Sequence, residues 1–134
     1  MQPPSDPVEP AGPDARRAPP CTLVIFGAGG DLTKRLLMPA LYNLSGTGQL
    51  DDALAVLGVD HVEDSDEGWR SALTATMQSF TTDTTAEFHA DRIDAATWGW
   101  VRERLRYLKG DFSNPTTFEA IAGRVSGNVH AARA

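Results

Sequence analysis

Three glycines, Gly27, Gly29 and Gly30, directly follow the apolar run Cys21-Thr22-Leu23-Val24-Ile25-Phe26, and an amphipathic helical pattern comes after the glycines. Strand, glycine turn, helix is the order of a phosphate-binding βα unit. Each part has a chemical reason. One glycine makes the tight turn, and another lets the backbone approach a pyrophosphate with no Cβ in the way. The helix behind directs unpaired N–H groups and the positive end of its dipole at the phosphates. Lys34 and Arg35 add two cations one turn into that helix. Gly27 and Gly29 match the first two glycines of G-x-G-x-x-G, but the third position is Leu32. The same spacing serves a plain turn between strand and helix with no ligand, so the glycines alone leave both readings open.

The elements that must hold this turn can be read from hydrophobic periodicity. Strand one reads as residues 22–26. The next helix places Leu32, Leu36, Leu37, Ala40, Leu41 and Leu44 on one face, with Asp31 at the N-cap position. Pro39 lies inside that pattern, where it removes a helical hydrogen bond and should kink or divide the helix. Strand two reads as residues 53–59, apolar almost throughout, as a strand covered on both faces requires. It ends at Gly58-Val59-Asp60-His61, where a dinucleotide fold meets the adenosine ribose. Helices are expected near 66–80, with Trp69, Leu73, Met77 and Phe80 inward, and near 94–105, with Ile93, Trp98, Val101 and Leu105 forming a similar stripe. Strand three reads as 106–109, and a last helix as 115–125 with Phe118, Ile121, Ala122 and Val125 buried. The order β-α-β-αα-β-α predicts an α/β fold. It is a Rossmann-like doubly wound parallel sheet, incomplete, with strand order 3-2-1.

Composition narrows the partners. The chain has 134 residues with 41% apolar and 22% charged residues, suiting one soluble domain. A net charge of −6 with no basic stripe argues against nucleic acid. No apolar run approaches the ~20 residues needed to cross a bilayer, so no membrane partner is expected. The single cysteine, Cys21, reads as a packed residue opening a buried strand, and suits a reducing cytoplasm. Residues 1–20 hold seven of the nine prolines and few apolar side chains, and are expected to be a disordered tail. No Cys/His cluster has metal-ligand spacing, and His61, His89 and His130 stand apart in the sequence.

The run Gly27-Ala28-Gly29-Gly30-Asp31-Leu32-Thr33-Lys34-Arg35-Leu36-Leu37-Met38-Pro39-Ala40-Leu41 resembles the opening of the glucose-6-phosphate dehydrogenase family, G-A-S-G-D-L-x-x-R-K-L-x-P-A-L. Leu57-Gly58-Val59-Asp60-His61 is similar to the family's V-G-x-A-R. Trp69-Arg70 and Tyr107-Leu108-Lys109-Gly110-Asp111 resemble later segments, so the likeness covers residues 21–129. It implies an NADP-dependent dehydrogenase that oxidises C1 of glucose 6-phosphate to the lactone, in the oxidative pentose phosphate pathway. It also implies homo-oligomers for the full-length enzyme. Gly27, Ala28, Gly29, Gly30, Asp31, Leu32, Thr33 and Lys34 then form the cofactor phosphate loop.

Two departures qualify the resemblance. The family arginine that meets the 2′-phosphate of NADP is His61 here, preceded by Asp60 where alanine is usual. An acid at this strand end suits the free 2′-hydroxyl of NAD, so NAD is expected to be tolerated beside NADP. The chain also departs after Gly127-Asn128-Val129, where the family continues into an apolar strand. Residues 130–134 read as neither strand nor cap, which suggests a truncated or frame-shifted gene. The family's catalytic histidine lies in a later R-I-D-H-Y-L-G-K-E segment that these residues do not contain, so no catalytic residue is assigned. The alternatives to an N-terminal enzyme piece are a nucleotide-sensing module without turnover and a non-functional fragment. With no fourth strand, the free edge of strand one predicts self-association.

Overall fold

The computed structural model describes residues 18–83, 85 and 88–133; the proline-rich segment expected at 1–20 lies almost wholly outside them. Three strands form one parallel sheet: β1 (Thr22–Phe26), β2 (Ala55–Asp60) and β3 (Leu105–Lys109), in the spatial order β1-β2-β3. That is the 3-2-1 order of a Rossmann-like half. Central β2 has Val56, Leu57, Gly58 and Val59 all buried, as its unbroken apolarity requires. Register pairs Phe26 with Val59 and Asp60 with Lys109, so the three strands finish at one edge.

Helices cover both faces. On one face α1 (Met38–Gly46), α2 (Asp66–Ser79) and α3 (Ala95–Arg102) bring Met38, Leu41, Trp69, Leu73, Met77, Trp98 and Val101 against Ile25, Val56, Leu105 and Tyr107. On the other, α4 (Pro115–Arg133) packs Ile121 against Leu57 and Val59. Ser65 caps α2 by accepting the Gly68 N–H at 2.9 Å. Asp94 caps α3 by accepting the Thr97 hydroxyl and N–H at 2.7 and 2.9 Å, bonds that hold its carboxyl below the ordinary value.

Pro39 divides the first helix as expected, but the division is a wide turn. Thr33–Leu37 is π-helical, and the Met38 N–H donates to Thr33 O, five residues back. Proline offers no N–H to the carbonyl four residues earlier, and its ring crowds that oxygen. The preceding turn widens by one residue, which rotates α1 by about 100° relative to that turn. The expected apolar face is therefore met only in part: Leu41 is buried and Leu37 packs on the core, while Ala40 is exposed. Met38 and Leu41 are buried, whereas Leu32 and Leu36 are 60% and 45% exposed and Leu44 is exposed too.

Three other expectations fail locally. Leu32 already has helical backbone, and the Asp31 carboxylate pairs with Arg35 at 3.2 Å instead of capping. Cys21 is exposed, because β1 is an edge strand and Cys21 precedes it. In α4 the inward positions are Thr117, Ile121 and, in part, Val125; Phe118 and Ala122 face outward. The helix expected at 115–125 itself forms, and its backbone runs on to Arg133.

Gly58 is where the sheet meets the helical layer most closely. A Cβ there would lie 2.4 Å from Cη2 of Trp69 and 2.8 Å from the Cβ of Ala28. Overpacking of this kind costs about 1–3 kcal/mol. Gly58→Ala should therefore lower the urea midpoint by that equivalent; an unchanged midpoint would mean that the indole swings aside freely.

Candidate functional site

The glycine turn leaves the sheet at its carboxyl edge. Gly27 has φ +91°, a left-handed conformation that favours glycine. The N–H groups of Gly27 and Ala28 both donate to Val59 O, at 2.8 and 3.1 Å, so the turn hangs on the end of β2. The Gly30 N–H returns to Gly27 O at 2.9 Å. The Thr33 hydroxyl, buried beneath the turn, donates to the same Gly27 oxygen at 2.9 Å. Three of the turn's four N–H groups are thus spent on the protein's own carbonyl oxygens.

The fourth points elsewhere. Gly29, exposed at the surface, donates its N–H to Oδ2 of Asp60 at 2.8 Å. The other carboxylate oxygen, Oδ1, accepts the His61 backbone N–H at 2.8 Å and faces His61 Nδ1 at 2.9 Å. Burial pushes the Asp60 carboxyl up. The N–H bonds from Gly29 and His61 and the adjacent imidazole outweigh it and hold the carboxyl below its ordinary value. An anionic oxygen therefore rests on the Gly29 amide, which is what an anion-accepting turn provides. The His61 side chain is 80% exposed, against 15% for Asp60. A cleft of about 560 Å³ opens beside it, between Lys109, Asn114 and Thr116.

The nine residues singled out from the sequence play unequal parts. Gly29 and His61 face the open side, and Asp31, Leu32 and Lys34 lie on the first helical turn behind Gly29, with Lys34 half-buried. Ala28 is wholly buried, and Gly27 and Gly30 shape the turn. Thr33 supports the turn from below, its hydroxyl taken by Gly27. Two residues were missed in these roles. Trp69 donates its indole N–H to Ala28 O at 2.9 Å across 41 residues. Thr117 is buried at the start of α4, where it bonds the Asp111 backbone N–H and carbonyl at 3.0 and 2.9 Å. Trp69 had the periodicity of an ordinary core residue, and no spacing rule reports an indole N–H reaching a distant turn.

A glycine-turned βα unit at the carboxyl edge of a parallel sheet, with helices on both faces, defines an incomplete Rossmann-like α/β domain. The chain belongs to the glucose-6-phosphate dehydrogenase family. Its residues 24–133 match the profile described as "Glucose-6-phosphate dehydrogenase, NAD binding domain". It is 34% identical over 110 residues to a glucose-6-phosphate 1-dehydrogenase of Chlamydia muridarum, covering 82% of this chain and 20% of that one. It is 37% identical over 106 residues to the Chlamydia pneumoniae enzyme of that name, covering 79% and 19%. The chain thus spans about a fifth of these relatives' length. The fold superposes on a glucose-6-phosphate 1-dehydrogenase structure from Mycobacterium avium with TM-score 0.64 at 24% identity, covering 79% of this chain and 21% of that one. Among the described residues no helix is long and apolar enough to cross a membrane.

Asp60 makes the site acid-sensitive. Its folded-state value lies below the unfolded value of about 3.9. Its stabilising contribution is complete above that value and disappears as pH falls through the folded one. The stability gap between the unaltered protein and Asp60→Asn should shrink as pH falls from about 5 to 2, read as urea midpoints. A constant gap would contradict the charged Asp60–Gly29 contact.

Proposed function

We propose that these residues bind the adenosine and pyrophosphate part of a nicotinamide dinucleotide for the glucose 6-phosphate dehydrogenase reaction. When held there, a nicotinamide dinucleotide would supply hydride acceptance for the oxidation of C1 of glucose 6-phosphate to the lactone of the oxidative pentose phosphate pathway. The observation that carries this reading is the Gly29 N–H, which donates to an anionic oxygen at the carboxyl edge of the sheet. The turn fits the group: Gly29 is exposed, its N–H already carries an anionic oxygen, and the N-terminal turn of a helix with Lys34 stands behind it. Residues 21–129 form the binding unit in this proposal, in the cytoplasm, with residues 1–20 outside it.

Asp60 and His61 meet the adenosine ribose. The Asp60 carboxylate accepts a ribose hydroxyl and repels a 2′-phosphate, while His61 is the donor left for that phosphate. NADP is the cofactor proposed from the family resemblance, and NAD enters as well. Removing the C1 hydroxyl proton needs a base, and no histidine here is assigned that role. The proposal is therefore binding without turnover by these residues alone. Sugar phosphate and subunit contacts belong to the longer family enzymes, proposed as homo-oligomers.

Calorimetric titration with NADPH and NADH tests this reading. Both should bind, and Gly29→Val should abolish binding of either, since its side chain would cover the N–H beside Asp60 Oδ2. His61→Arg should tighten NADPH by about tenfold through a charge-assisted bond and leave NADH unchanged. A protein that binds neither dinucleotide, or a Gly29→Val variant that binds both normally, would overturn it.

A further inference from the structure

We infer that Trp69 is a positioning residue for the phosphate turn, holding the Ala28–Gly29 peptide in the one orientation that presents an N–H to an anion. This rests on the nucleotide-binding reading above. A trans peptide is planar, with its C=O and N–H pointing in opposite directions. Among the described residues there is no cis bond. The Ala28 carbonyl points inward and accepts the Trp69 indole N–H at 2.9 Å, in a buried contact. The N–H of the same peptide unit, on Gly29, points outward to Asp60 at 2.8 Å. Fixing one end of the plane fixes the other.

Such a lock has work to do at this position. Gly27, Gly29 and Gly30 give the turn little intrinsic preference for one peptide orientation. A flipped Ala28–Gly29 unit would present a carbonyl oxygen to the phosphate and bury an N–H with no acceptor, a cost of about 1–3 kcal/mol. The indole is itself immobilised. It lies over Gly58, where a Cβ would stand 2.4 Å from Cη2 and 2.6 Å from Cζ2. Its backbone N–H donates to Ser65 O at 3.0 Å in the first turn of α2. Its ring leans on Tyr107 with centroids 5.9 Å apart. The donor thus comes from a rigid helix start, seated on the central strand.

The test replaces Trp69 in the full chain by benzothienylalanine, which keeps the bicyclic shape with sulfur in place of N–H, and by Phe as a second variant. Three readouts are taken: NADH and NADPH affinity, the Gly29 amide resonance, and the urea midpoint. The expected result is binding weakened by about tenfold with a displaced Gly29 resonance in both variants, while the urea midpoint falls less in the benzothienyl protein, which keeps the ring packing, than in the Phe variant. Normal affinity in the benzothienyl protein, or an unmoved Gly29 resonance, overturns the inference. If the unaltered protein binds neither dinucleotide, the nucleotide reading fails, and this inference fails with it. If it binds and both variants bind equally well, the failure belongs to Trp69 alone.

Discussion

A missing methyl group in the middle of the sheet governs how this molecule is put together. Gly58 leaves the space into which Trp69 and Ala28 both press, closer than any Cβ would permit. Through that gap the first turn of α2 reaches the glycine turn after β1, two parts of the chain that no local interaction joins. The surrounding apolar cluster of Ile25, Val56, Leu73 and Tyr107 keeps water from this junction. The indole-to-carbonyl contact is therefore made in a setting where an unmade bond is costly.

The carboxyl edge of the sheet carries a second theme. Each of two strand-to-helix passages uses a buried threonine to hold a tight turn. Thr33 serves the exit of β1 and Thr117 the exit of β3. Between them the end of β2 is tied on both flanks. Val59 O receives the turn from β1, and Asp60 O receives the Gly110 N–H at 2.8 Å. The edge is thus built from backbone groups already in use, and Asp60 sets its charge. The same carboxylate, with Asp64 and Glu63, adds to burial in raising the Tyr107 hydroxyl, which stays a donor to Val62 O.

Much of this was legible in the residues themselves. Strand order, central β2, the glycine turn and the break at Pro39 come from short-range rules of period, backbone freedom and the missing proline N–H. The failures share a cause, which is that phase and partner choice are set by tertiary contacts. Ala40 and Leu44 fit the face of a regular helix, but a one-residue widening before Pro39 rotated α1 and left them exposed. Phe118 lost the inward position to Thr117, since the turn at Gly110–Asp111 needed a hydroxyl more than the sheet needed a ring. Phe26 sits half exposed with Phe112 and Phe118, because β1 is the sheet's outer strand. The meeting of Asp60 with Gly29, and of Trp69 with Ala28, joins residues 31 and 41 apart, beyond any spacing rule.

The double acceptance at Val59 O has a thermodynamic consequence. Because Gly27 and Ala28 extend the β1–β2 ladder by two more bonds, the turn is part of the strand register. A slip of one residue in β1 would carry it about 3.3 Å along the sheet and destroy its geometry. A ligand that grips the turn therefore recognises correctly paired chains only. By mass action it would favour them by about 2.7 kcal/mol at a concentration a hundredfold above its dissociation constant. For a chain this small, whose whole stability is of order 0.1 kcal/mol per residue, occupancy of the turn and integrity of the sheet become a single equilibrium.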